Sequence, residues 1–180
     1  MFFCIKILRC LSRIHERSEE EIKVALIDGQ IELALAYMYR LNDTVLLDHY
    51  ADFDCQPLCN MRYCCRASSN SPLNQYMSIS LKNVFKYPLL HFTSRSGKEF
   101  FDFIDALTDK KIHDNIHVLK HQEIYKEKLI NNHGVSLIAD VPYKDKSCME
   151  QIRGTVDIPI KENLRRELCI VSPKGAAFSE

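Results

Sequence analysis

Ser18-Glu-Glu-Glu-Ile-Lys-Val-Ala-Leu-Ile-Asp-Gly29-Gln-Ile-Glu-Leu-Ala-Leu35 is the stretch on which the fold class turns. Its first four residues spell a capping box, in which the Ser18 hydroxyl takes an orphan helix amide and Glu21 reaches back to the cap. Three carboxylates in the first turn suit the positive end of the helix dipole. Ile22, Ala25 and Leu26 supply an apolar face, and Gly29 is placed to stop the helix as a left-handed residue. Ile31, Leu33 and Leu35 then alternate with Glu32 and Ala34, which predicts a strand opening into Tyr37-Met38-Tyr39. A helix running straight into a strand is one α-to-β unit.

The same alternation continues outward. Phe53 to Pro57 reads as a loop or strand lead-in, Met61 to Arg66 as a strand, and Ala67 to Pro72 as a loop. Ser80 to Val84 is a short helix broken by Tyr87-Pro88. Leu89 to Phe92 is a strand that enters Thr93-Ser94-Arg95-Ser96-Gly97, after which Phe100, Phe103, Ile104 and Leu107 recur at helical spacing. Ile116 to Leu119 is a strand, Gln122 to Asn131 a helix with Gly134 ending it, and Val135 to Ala139 a strand. Val156 to Ile160 and Leu168 to Ser172 flank the polar turn Lys161-Glu-Asn163. Helices alternating with strands place the chain in the α/β class.

Composition excludes several functions. The 180 residues carry 24 Lys+Arg against 24 Asp+Glu, with 46% hydrophobic residues. A balanced charge argues against nucleic-acid binding, which calls for a basic excess. No apolar run reaches the ~18 residues of a membrane span. Lys6 and Arg9 interrupt the apolar start Met1 to Cys10, which reads as mature strand or core helix rather than a leader. Five glycines are about 3% of the chain against a usual ~7%, and none fall together, so no GxGxxG or phosphate loop can be drawn. The eight cysteines (4, 10, 55, 59, 64, 65, 148 and 169) read as buried thiols in a reducing compartment, the cytoplasm. Cys55-x3-Cys59 with Cys64-Cys65 lacks the paired spacing of a zinc site, because adjacent strand residues point to opposite faces.

Candidate chemistry is sparse. The turn Thr93 to Gly97 lies between a strand and a helix start, where free amides and the dipole receive anions. Its hydroxyls and Arg95 either complete an anion pocket or simply cap the helix. His113, His117 and His121 fall at i, i+4 and i+8, but on a strand i and i+4 lie about 13 Å apart, too far for one metal. No catalytic motif appears, so no catalytic residue, metal site or cofactor is expected.

In order, these segments resemble the effector-binding (substrate-binding) domain of LysR-type transcriptional regulators. Residues 18–35 are similar to the family's helix followed by G-x-(L/I)-D-L-A-(I/L). Ser71-Pro-Leu73 stands at its His-Pro-Leu, and residues 80–92 at its S-L-x-D-L-x-x-x-P-L-I-x-F. Gly134 to Ile138 matches G-I-A-L-L. Ile158 to Gly175 matches the closing P-L-x-E-P-x-R-R-E-L-x-L-V-x-R-K-G. The resemblance covers about residues 15–180.

It implies two Rossmann-like lobes of the type 2 periplasmic-binding-protein kind, joined by crossover strands and incomplete at both ends. The first lobe would take residues 1–63, the second 64–152, and 153–180 would return to the first. A small anionic effector would sit in the cleft, held by Thr93, Ser94, Arg95 and Ser96 and by the first-lobe turn near Tyr37, Met38 and Tyr39. The family's winged helix-turn-helix has no counterpart here, so the chain alone is expected not to bind specific DNA, nor a membrane, and to be a homo-oligomer (dimer or tetramer). Glu32 stands for the usual Asp, Ser71 for His, Ala139 for Pro, and Asn132 for the first Gly of a G-x-G. Three other readings stay open: a solute-binding protein of the same bilobal fold, a small enzyme using His113, His117 or a cysteine, and a remnant that retains only dimerisation.

Overall fold

The computed structural model describes residues 17–93, 98–108, 112–140 and 152–175. The expected strand or helix at residues 1–10 and the turn 94–97 lie outside them.

Helix α1 (Glu19–Ile27) starts on the capping box: the Ser18 side chain accepts from the Glu21 amide, and the Ser18 amide donates to the Glu21 carboxylate at 2.8 Å. Gly29 follows it at φ +66°. Strand β1 (Ala34–Leu41) runs through Tyr37-Met38-Tyr39, so these residues form mid-strand and not a turn. The turn comes later, at Asn42 and Asp43, both with positive φ, and leads to β2 (Thr44–Val45). Two left-handed residues joining antiparallel strands make a type I′ hairpin, for which Asn and Asp are suited.

Strand β3 (Phe53–Ser68) is 16 residues long: 53–57, read from sequence as a loop or strand lead-in, is strand, and β3 also absorbs the start of the expected loop at 67–72. Asp54, Gln56 and Pro57 hide the strand in the sequence. Pro57, which has no N–H to give, sits at a register shift between Pro57 and Cys59, the kind of irregularity where a strand tolerates proline. A 3-10 turn at Pro72–Gln75 follows, capped by the Ser71 hydroxyl. Then come α2 (Leu81–Val84), β4 (Leu89–Phe92), α3 (Lys98–Leu107), β5 (Ile116–Leu119), α4 (Gln122–Ile130), β6 (Ser136–Ala139), β7 (Thr155–Pro159) and β8 (Leu164–Pro173).

The main sheet is ordered β2-β1-β8-β3-β6, with β7 also paired to β3. All its pairings are antiparallel. Parallel pairing joins β4 to β5, and an isolated bridge joins Leu89 to Val135. The N-terminal half of β3 pairs with β8, and its C-terminal half with β6 and β7. One face of β1 and β8 packs Leu26, Ala36, Met38, Tyr50, Cys169 and Val171 into a small core. A larger core centres on β3, β4 and α3. Buried Arg66 on β3 makes a two-pronged ion pair with Asp157 on β7, at 2.7 and 2.8 Å.

Gly134 does not end α4 in the way its sequence position suggests. Asn132, at φ +58°, takes the left-handed position, which Asn tolerates better than most residues. Gly134 is required for space instead: a Cβ there would lie 2.5 Å from the Pro88 carbonyl oxygen.

Candidate functional site

Side chains alternate across a strand, so the residues of β1 divide between two environments. Tyr39 lies opposite Arg166, and Arg166 opposite Met61. Tyr37 lies opposite Leu168 on the same face. Met38 points the other way, 8% exposed, into the core beneath α1. The structure therefore brings Tyr37 and Tyr39 together and separates Met38 from them.

Helix α3 covers one end of that face. Phe103 lies 4.7 Å from Tyr39 and 5.2 Å from Tyr63 between ring centroids, and 6.3 Å from Phe100. Phe100 stacks on His91 at 3.8 Å with the rings 3° from parallel. A continuous run of rings, His91–Phe100–Phe103–Tyr39, thus links the end of β4 to the face of β1. Thr93 follows directly after β4, its amide donating to the Leu119 carbonyl at 3.1 Å. Ser94, Arg95 and Ser96 lie outside the described residues.

Residues that sequence reasoning missed complete the face. Arg166 lies over the Tyr37 ring, its guanidinium carbon 4.0 Å from the ring centroid, a distance at which a cation is drawn to the ring quadrupole. It also lies beside the Tyr63 hydroxyl, where its positive charge works against the effect of burial on that phenol. Burial pushes the Tyr63 phenol well above its ordinary range, so it stays protonated. The neighbouring Arg165 faces the opposite side, where it and Arg40 flank the buried Glu167 carboxylate at 3.2 and 2.8 Å. The sequence signal was the pair Arg165-Arg166, whose alternation puts one guanidinium on each face.

Burial drives His91 down to about 4. Its unfolded value is near 6.5, so between those limits the unfolded chain binds more protons and stability rises with pH. Urea unfolding midpoints are expected to hold above pH 6.5 and to fall progressively from there toward pH 4. In His91→Phe that slope should flatten; an unchanged slope would exclude His91 as its source.

Among the described thiols, Cys65 and Cys169 are poor nucleophiles. Burial raises Cys65 to about 12 and Cys169 to about 11, the latter also by Glu167. His113 pairs with Asp105 at 2.6 Å on the surface, and His117 and His121 are exposed. Among the described residues no three His, Cys, Asp or Glu side chains gather as a metal site, and no helix is long and apolar enough to cross a membrane.

Comparison with known proteins is consistent with this architecture. Among curated proteins, none matches the chain by sequence. A full-length BenM variant matches in structure with a TM-score of 0.65 at 13% identity, over 92% of this chain and 52% of that one. The BenM effector binding domain with its effector benzoate gives 0.61 at 14% identity, over 92% and 71%. The effector binding domain of QuiR in complex with shikimate gives 0.57 at 18% identity, over 91% and 72%. The chain thus spans about half the length of the full-length regulator, and these likenesses establish the fold, which is that of type 2 periplasmic-binding-like domains. The family pattern described as the LysR substrate binding domain matches residues 11–180. The chain belongs to the LysR substrate binding domain family.

Proposed function

We propose that this chain is the effector-sensing part of a LysR-type transcriptional regulator and takes a small anionic metabolite between two lobes. The lobes would comprise residues 1–63 with 153–180, and 64–152. The site would combine Tyr37 and Tyr39 with Thr93 and the turn residues Ser94, Arg95 and Ser96. Met38 is left out because its side chain lies on the far face of the sheet.

The observation that carries this reading is the run of rings from His91 through Phe100 and Phe103 to Tyr39. A ligand lodged between the turn after β4 and the face of β1 would touch two elements joined by one packed path. Its unequal affinity for two arrangements of those elements would shift their populations, which is what a sensor requires. The relatives bound to benzoate and to shikimate support a carboxylate-bearing effector. In an intact regulator, closure of the lobes would change how DNA-binding domains are presented. The chain would act in the cytoplasm, as a dimer or tetramer, without catalysing a reaction or binding specific DNA by itself.

The test is thermal shift and titration calorimetry with benzoate, shikimate, sulfate and phosphate. At least one should bind saturably and raise the melting temperature. A double substitution, Ser94→Ala with Arg95→Ala, should weaken that binding at least tenfold. If nothing in the panel binds, the sensing role is wrong; if the double variant binds equally well, the turn does not belong to the site.

A further inference from the structure

Four arginines of the main sheet are wholly or partly buried, and three of them meet carboxylates. Arg66 pairs with Asp157, and Arg40 and Arg165 share Glu167. Arg166 is the exception among the described residues. No carboxylate among the described residues pairs with it; its Nε, like that of Arg165, is buried without a hydrogen-bond partner, and its neighbours are the Tyr37 ring and the Tyr63 hydroxyl. A cation taken out of water without an anion is costly, and a buried N–H without an acceptor adds to the cost.

The surroundings are suited to one class of ligand. Tyr37 is 41% exposed, so the face opens to solvent beside the guanidinium, while Tyr63 and Phe103 close it from behind. A planar guanidinium offers parallel N–H groups that match the two oxygens of a carboxylate. Lying on an aromatic ring, it favours a flat ligand that can extend the stack.

We propose that Arg166 is the anion-recognising residue of this domain, receiving the carboxylate of a flat organic acid whose body lies against Tyr37 and Tyr39. This rests on the effector-binding reading above and specifies the ligand's chemistry and the residue that reads it. Arg166 then selects for charge, while Tyr37 and Tyr39 select for shape. The same face would take an inorganic oxyanion less tightly, because sulfate meets the guanidinium but not the rings.

The probe is benzoate, with benzamide as its uncharged isostere and sulfate as the ring-free anion. The chain has no tryptophan, so binding is read from intrinsic tyrosine fluorescence, the part that belongs to Tyr37 and Tyr39 being the change lost in Tyr37→Phe with Tyr39→Phe. Benzoate should bind at least tenfold more tightly than benzamide, and sulfate more weakly than benzoate. Arg166→Gln should weaken benzoate at least tenfold, while Arg62→Gln, at an exposed arginine, should leave it unchanged. Should Arg166→Gln fail to fold, phenylglyoxal labelling of the wild-type chain gives an independent readout. Benzoate should then protect Arg166, seen by mass spectrometry, and leave Arg62 reactive. Equal binding of benzoate and benzamide, undiminished binding by a folded Arg166→Gln, or no protection of Arg166 overturns the proposal. No benzoate binding by the wild type also overturns it. Binding of another panel compound in that case would leave the sensing role standing.

Discussion

Phe103→Ala is expected to cost about 3–5 kcal/mol, the range for truncating a buried aromatic side chain, and to weaken effector binding in whatever fraction still folds. Phe103 is 2% exposed and lies between Tyr39 of β1, Tyr63 of β3 and Phe100 of its own helix. Removing the ring opens a cavity at the junction of α3 with the main sheet. It also forfeits offset aromatic contacts, each worth about 0.5–1.5 kcal/mol beyond area burial. Urea unfolding followed by circular dichroism measures the first effect, and tyrosine fluorescence titration the second. A loss below about 1 kcal/mol, small beside the usual cost of such a truncation, would mean that the α3 contact with the sheet is not a structural tie.

Gly134→Ala should have the second large effect. The added Cβ would come 2.5 Å from the Pro88 carbonyl oxygen and 3.0 Å from Leu90 Cγ. The oxygen cannot move freely, since the Val135 amide donates to it at 2.8 Å and the Leu90 amide donates to the Val135 carbonyl at 2.7 Å. Both bonds hold β4 beside the approach to β6. Overpacking against fixed backbone is expected to cost about 3 kcal/mol, seen as a lower thermal midpoint. Gly29→Ala is the control, having no atom within 4 Å of its added Cβ but a φ of +66°. It should lose only about 1 kcal/mol, the strain of a left-handed alanine. Equal losses at the two positions would mean that the close approach at Gly134 carries no weight.

These residues also mark where the sequence is legible and where it is not. Helix α1, β4 and β5 could be read because their signals are local: a capping box for α1, and short apolar runs bounded by polar or proline residues for the two strands. Strand β3 was not fully legible, since Asp54, Gln56 and Pro57 contradict a strand and only the distant partner β8 makes it one. Gly134 misled because a glycine near a helix end suggests a left-handed stop, a position that Asn132 takes here. Tyr37 and Tyr39 could be proposed from sequence, but which face they share with Arg166 depends on strand register, as does the separation of Met38. Phe103 was visible as an apolar helix position, whereas its contact with Tyr39 and Tyr63 is tertiary.

The placement of β8 has a further consequence, for the timing of folding. Residues 164–173 pair with β1 on one side and β3 on the other, across sequence separations of more than a hundred residues. During synthesis β1 and β3 are complete long before the strand that belongs between them exists. Until then both present unpaired edges, and the tyrosine-lined face lacks Arg166. Long-range pairing of this kind folds slowly and leaves edges open to other chains. The nascent protein should therefore depend on chaperones in proportion to how slowly β8 arrives, and the face carrying Tyr37, Tyr39 and Arg166 can form only once β8 has joined the sheet.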